Sequence, residues 1–220
     1  MMNFRIAKND EDLWLFLRRR LSVVVILLIS SLVYVLTNSL LTHGYSMKTP
    51  WDDYIPIVPV FIFPYILFLP ACFLAYVWAA LKMDEHMFRA FFAAAVLNAV
   101  TIAMFYVIFP NYVERRQVVV DSLSAALLNL VYANDRVFNA FPSQHVYLTT
   151  LLFLFYSRWY PQHRWLLAGA AVTIILSTLL TGQHHIPDVI GGLILAYLCY
   201  RFGFWWASLP DWRRRFAFRD

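Results

Sequence analysis

The stretch SLSAALLNLVYAN, Ser122–Asn134, decides how many times this chain crosses a membrane. It is apolar, but it has only 13 residues, and a helix needs about 20 to span the hydrocarbon core. Around it lie five long runs with no Asp, Glu, Lys or Arg: 21–47, 54–81, 90–113, 165–183 and 189–200. With a shorter apolar run after His145, they predict six helices, over about 21–42, 57–81, 90–110, 145–160, 165–182 and 188–208. Ser122–Asn134 is then an interfacial or re-entrant helix in the outer loop between spans three and four. The expected fold is an all-α polytopic membrane protein with six transmembrane helices, one integral-membrane domain over 1–220. Composition agrees: 61% of residues are apolar and 14% charged, where a soluble domain is about half apolar.

Charge placement sets the expected orientation. Fourteen Lys and Arg residues fall on one side of the six-span scheme: Arg5, Lys8, Arg18, Arg19, Arg20, Lys82, Arg89, Arg158, Arg164, Arg201, Arg213, Arg214, Arg215 and Arg219. Only Lys48, Arg115, Arg116 and Arg136 fall on the other. Basic loops stay cytoplasmic, so both termini are expected there, and the opposite face looks to the exterior, periplasm or lumen. A second crossing by Ser122–Asn134 would destroy this bias. The net charge of +5 comes from span ends and does not call for a nucleic-acid partner. The partners expected are membrane lipids. The first apolar run, RRRLSVVVILLISSLVYVLTNSLL, is read as a span and not a signal peptide, because it is too long and no small-residue cleavage site follows.

Two polar motifs sit at span ends. FPSQH (Phe141–His145) opens the fourth span, and TGQHHIPDVIGG (Thr181–Gly192) joins the fifth to the sixth. Two helices of about 16–18 residues make a round trip, so His145 and His184 are expected on the same outer face. His184 and Asp188 are four apart, and would stack if the helix has begun there. Asp188 can then orient one nitrogen of the His184 ring and leave the other free as a nucleophile. His145 opposite it is a candidate acid and base. Ser143, Gln144 and nearby amides are candidates to hold an anionic oxygen at the helix mouth. A zinc site built from His145, His184, His185 and Asp188 is the competing reading. It is set aside because no H-E-x-x-H motif is present and no cysteine lies nearby. Gly191 and Gly192 are read as close-packing positions.

These motifs resemble the second and third signatures of the type 2 phosphatidic acid phosphatase superfamily, over roughly residues 90–205. The second signature, P-S-G-H, reads Pro142-Ser143-Gln144-His145 here. The third, S-R, five residues, H, three residues, D, reads Ser177-Thr178, LLTGQ, His184, HIP, Asp188. Thr178 stands where the family carries its phosphate-binding Arg. That departure, and the wording of both motifs, resembles the inositol-phosphorylceramide synthase and sphingomyelin synthase branch. Asn139 stands where sphingomyelin synthases carry an Asp.

The resemblance implies a metal-independent, cofactor-free membrane enzyme. His184 would attack phosphorus to form a phosphohistidine, Asp188 would orient it, and His145 would protonate the leaving group. The substrate is expected to be a lipid phosphate or pyrophosphate, and the reaction hydrolysis. Transfer of the phosphoryl headgroup to a lipid alcohol is the alternative, and a non-catalytic lipid-binding protein the third reading. The family's first signature, K, six residues, R-P, is mimicked by Lys82 and Arg89-Ala90, but these lie on the basic, cytoplasmic side. Arg115 or Arg116 is expected to bind phosphate instead, with Arg136 in reserve. The catalytic motifs then fall within about 111–192.

Overall fold

A computed structural model of the chain describes residues 10–209. Arg5, Lys8 and the arginines beyond 209 lie outside the described residues. Seven helices carry the fold: α1 (Asp10–Leu40), α2 (Ile62–Lys82), α3 (Glu85–Ile108), α4 (Leu123–Asn134), α5 (Gln144–Trp159), α6 (Arg164–Leu180) and α7 (Ile186–Ser208). The protein is an all-α polytopic membrane protein. Among the described residues, five stretches are long and apolar enough to cross a membrane: Phe16–Leu40, Pro59–Lys82, Glu85–Ile108, Pro161–Leu180 and Ile186–Ser208. The expected fourth span, α5, has 16 residues, or about 24 Å of helix. It is the enclosed helix of the bundle: Val146, Tyr147, Leu151 and Phe155 are fully buried, and it packs between α2, α6 and α7.

The outer faces are apolar. Leu28, Ile29, Leu32 and Val35 on α1, Leu166 on α6, and Ile194 and Leu198 on α7 are all exposed. Such surface is stable in lipid and not in water. Inside, Phe68, Cys72 and Tyr76 of α2 meet Phe91 and Tyr106 of α3, Tyr147 and Phe155 of α5, and Cys199 of α7. Small residues let helices touch. A Cβ on Gly203 would lie 2.3 Å from the Ala90 carbonyl oxygen, so α3 and α7 are in backbone contact there.

The structure departs from the sequence expectation at three places. α1 begins eleven residues earlier than expected, at Asp10. Its basic turn is used rather than merely solvated: Arg19 pairs with Glu85, and Arg20 donates to the Met83 carbonyl and lies 4.2 Å over the Phe88 ring. Of Pro59, Pro64 and Pro70, expected as kinks in the second span, only Pro70 lies in the helix interior; Pro64 falls in the first turn of α2, and Pro59 starts a 3-10 turn, Pro59–Phe61. α7 begins two residues earlier than expected, at Ile186.

The two ends of the bundle differ in character. Arg20 and the α2–α3 turn mark one end. Asp84 caps α3 there by accepting from the Met87 amide at 3.0 Å. The other end is a knot of loops. β1 (Tyr45–Ser46) pairs in parallel with β2 (Asn111–Tyr112), and Tyr112 bridges to Phe138. α4 lies across this end, too short to span, with Leu128 fully buried against Ile62 and Tyr65 of α2. Lys82 and Arg89 therefore sit about 30 Å, the length of α2, from the end that carries both histidine motifs.

Candidate active site

Three chain ends converge at the knotted end. The first is the C-terminus of α6. Gly182 adopts φ 62°, the left-handed conformation that closes a helix through paired backbone bonds. The Gly182 amide donates to Leu179 O at 2.9 Å and the Gln183 amide to Thr178 O at 3.0 Å. The His184 amide also donates to Thr178 O, at 3.1 Å. Thr178, fully buried, thus aims the loop that carries His184. Its hydroxyl donates to Ile175 O and supplies no charge.

The second is the N-terminus of α7. His185 is the N-cap, and Asp188 closes a capping box by accepting from the His185 amide at 2.8 Å through Oδ2. The same oxygen lies 3.5 Å from His184 Nδ1. The pair meets through this turn, not by helical stacking, because His184 precedes the helix. Asp188 is fully buried, and its Oδ1 has no hydrogen-bond partner among the described residues. Asp52, which sequence reasoning missed, accepts from the Ile186 amide at 2.7 Å and from Thr49 through its other oxygen. It ties the α1–α2 loop to the first turn of α7.

The third is the N-terminus of α5. Ser143 caps it by accepting from the Val146 amide at 3.4 Å, and the Ser143 amide donates to Asp188 O at 3.0 Å. Asn111, also missed, clamps the approach: its side chain donates to Phe141 O at 3.1 Å and accepts from Phe141 N at 2.5 Å. Gly192 permits the closeness. A Cβ there would meet Val146 Cβ at 2.9 Å and Ser143 O at 3.0 Å. Gly192→Ala is expected to lose about 1–3 kcal/mol of stability, seen as a lower Tm in detergent, and to lose activity as α5 and α7 part.

The result sets the His145 and His184 rings 6.1 Å apart between centroids. Tyr65 stacks on His145 at 4.2 Å and Phe68 lies tilted at 4.3 Å, so α2 fixes the plane of that ring. The other sequence candidates fall around this pair. Arg115 donates to Tyr132 O, Asp135 O and Arg136 O, and its Nη2 donates to Gln183 Oε1 at 2.5 Å. Burial pushes the Asp135 carboxyl up, against the opposing pull of the Tyr34 hydroxyl, Arg115 and His184. Arg116 donates to Ile55 O and Asp52 O, and lines a small cleft with Lys48, Glu114, His184 and His185. Lys48 was counted in the sequence only as an outer-face charge; it pairs there with Asp53 at 2.9 Å and Glu114 at 3.5 Å. Gln144 is buried at the start of α5. Arg136 and Asn139 turn elsewhere: Arg136 donates to Ser39 O, and Asn139 donates to Tyr34 O and Thr37 Oγ1 on α1. Among the described residues, no group of three or more His, Cys, Asp or Glu is placed to hold a metal ion.

Residues 40–202 match the PAP2 superfamily. The chain belongs to that superfamily. PAP2 proteins are lipid phosphatases and phosphotransferases, and the motif resemblance pointed to the same family. The chain is also 35% identical over 66 residues to the inositol phosphorylceramide synthase catalytic subunit aur1 of Schizosaccharomyces pombe. That stretch is 30% of this chain and 16% of the relative, so the likeness reaches only a part of either protein. No solved structure matches.

Proposed function

We propose that this PAP2 protein removes phosphate from a lipid phosphate or pyrophosphate through a phosphohistidine on His184. The observation that carries the reading is the facing pair of rings, His145 and His184, with the buried Asp188 carboxylate at one nitrogen of His184. A carboxylate at Nδ1 fixes the tautomer that leaves Nε2 unprotonated and nucleophilic. Nε2 attacks phosphorus, and the bond to the lipid oxygen breaks as His145 gives that oxygen a proton. Asp188 stabilises the imidazolium that forms. His145, now neutral, takes a proton from water, and the hydroxide so made attacks the phosphohistidine. Phosphate leaves, and both histidines return to their starting states. Arg115 and Arg116 neutralise charge on the phosphoryl oxygens. With guanidinium and imidazolium supplying positive charge, no metal is required, and chelators are expected to leave the rate unchanged.

The second reading is transfer. The relative in Schizosaccharomyces pombe is a synthase by name, and Thr178 departs from the phosphatase pattern. In that case a lipid alcohol, not water, attacks the phosphohistidine. Purified protein given lipid phosphates in detergent without alcohol distinguishes the two. Steady phosphate release supports hydrolysis. No release until a lipid alcohol and a headgroup donor are mixed, followed by a new phospholipid, supports transfer.

The orientation belongs to the same reading: the site opens to the outer leaflet and both termini are cytoplasmic. A cysteine at the exposed Val119 is expected to be labelled by an impermeant reagent from outside intact cells. One at the exposed His163, on the α5–α6 turn, is expected to be labelled only after lysis. Labelling of both from outside overturns the orientation.

A further inference from the structure

Thr178 replaces the arginine that the third family signature would supply, and its buried hydroxyl is spent on Ile175 O. A residue adjacent to His184 in sequence that carries unused donor capacity is Gln183. It is 4% exposed and precedes His184 directly. Arg115 has donors only, so the side-chain atom of Gln183 that it meets must be the carbonyl oxygen. This fixes the orientation of the amide: Nε2 points the other way. Among the described residues Nε2 has no acceptor, although it is buried, and Arg115 Nε is in the same condition. A buried donor left unpaired costs about 1–3 kcal/mol. The two belong to residues joined by a hydrogen bond, one of them adjacent in sequence to His184, and an acceptor that arrives with the substrate would satisfy them.

The anchoring is deep. Asp135 holds Arg115 through its carbonyl and, at 3.5 Å, through its carboxylate. Tyr34 and Asn38 of α1 donate to the other carboxylate oxygen at 2.9 Å and 2.7 Å. Tyr132 O also accepts from Arg115, while the Tyr132 hydroxyl donates to Thr181 O at 2.6 Å. Gln183 and Arg115 are thus fixed before anything binds, which is the condition under which a donor stabilises a transition state.

We propose that Gln183 is a phosphoryl-binding residue. Its Nε2 donates to a non-bridging oxygen of the group attacked by His184, and Arg115 holds the amide in that orientation. This deepens the proposed phosphoryl-transfer reading and rests on it. The decisive variant is Gln183→Glu in the full chain in detergent micelles. Glutamate still offers Arg115 an acceptor, now charged, but replaces the Nε2 donor with an oxygen that repels phosphate. A residue that merely braces Arg115 would keep its function in this variant. A phosphoryl donor would lose it. The expected result is an unchanged Tm, a fall in kcat/KM on the order of 10²-fold, and weaker inhibition by inorganic phosphate. A fall of less than about tenfold, with wild-type sensitivity to phosphate, overturns the assignment. If Gln183→Glu does not yield monodisperse protein, the side-chain amide of Gln183 in the wild type is followed by NMR as inorganic phosphate is added: a saturable shift supports the assignment, and no shift overturns it. Absence of turnover in the wild type on lipid phosphates, with or without an alcohol acceptor, overturns the proposed function itself. Wild-type turnover with an undiminished Gln183→Glu overturns only this inference.

Discussion

His184→Ala is expected to abolish turnover, by on the order of 10³-fold or more, with the fold intact. The size follows from the role: a nucleophile that forms the covalent intermediate has no substitute within the site. Its nearest rival, His185, is committed as the N-cap of α7 and is 5% exposed. Burial holds its pKa below the ordinary histidine value, so it sits neutral at pH 7. The fold should persist because His184 makes its structural bond through its backbone amide, to Thr178 O, and alanine keeps that bond. The measurement is the initial rate on a lipid phosphate, with Tm as the control. His185→Ala should be much milder. The reverse pattern, with His185 essential and His184 dispensable, would shift the third motif by one residue.

Asp188→Asn is expected to lower kcat on the order of 10²–10⁴-fold. The asparagine carbonyl still accepts from the His185 amide, so the capping box and the start of α7 survive. What disappears is the negative charge 3.5 Å from His184 Nδ1. Without it the tautomer is no longer fixed, and the imidazolium formed on phosphorylation loses its counter-ion. The loss should fall on kcat more than on KM, because the charge acts as the imidazolium develops. A variant with wild-type kcat and a low Tm would make Asp188 a capping residue alone.

How much of this was written legibly in the chain depends on the range of the interaction. Ser122–Asn134 could be read from its length alone: α4 runs Leu123–Asn134 and lies across the bundle end instead of spanning. The rejection of Lys82 and Arg89 as a phosphate site followed from charge placement, and they lie at the opposite end of α2 from the histidines. His184 and Asp188 were paired by spacing, but they meet for another reason. The helix starts after His184, and a capping box, not an i,i+4 stack, joins them. The parts that were not legible are non-local. Nothing near Asp52 says that it caps a helix 134 residues away, and Asn111 clamps a segment 30 residues on. Arg115 was singled out, with Arg116, as one of the few basic residues on the outer side. Its partners Asp135 and Gln183, 20 and 68 positions away, could not be. Asn139 looked like a family position, yet its φ of 61° and its bonds to α1 engage it in shaping the loop before α5.

The most direct test of the central claim is to trap the covalent intermediate. The protein is mixed with a lipid phosphate labelled in the phosphoryl group, quenched within one turnover under conditions that preserve phosphohistidine, and mapped by peptide mass spectrometry. The account predicts acid-labile phosphate on His184, absent in His184→Ala and accumulating in His145→Ala when supplied with a substrate whose leaving group needs no protonation. Turnover with phosphate on His185, on His145 or on no residue would contradict it.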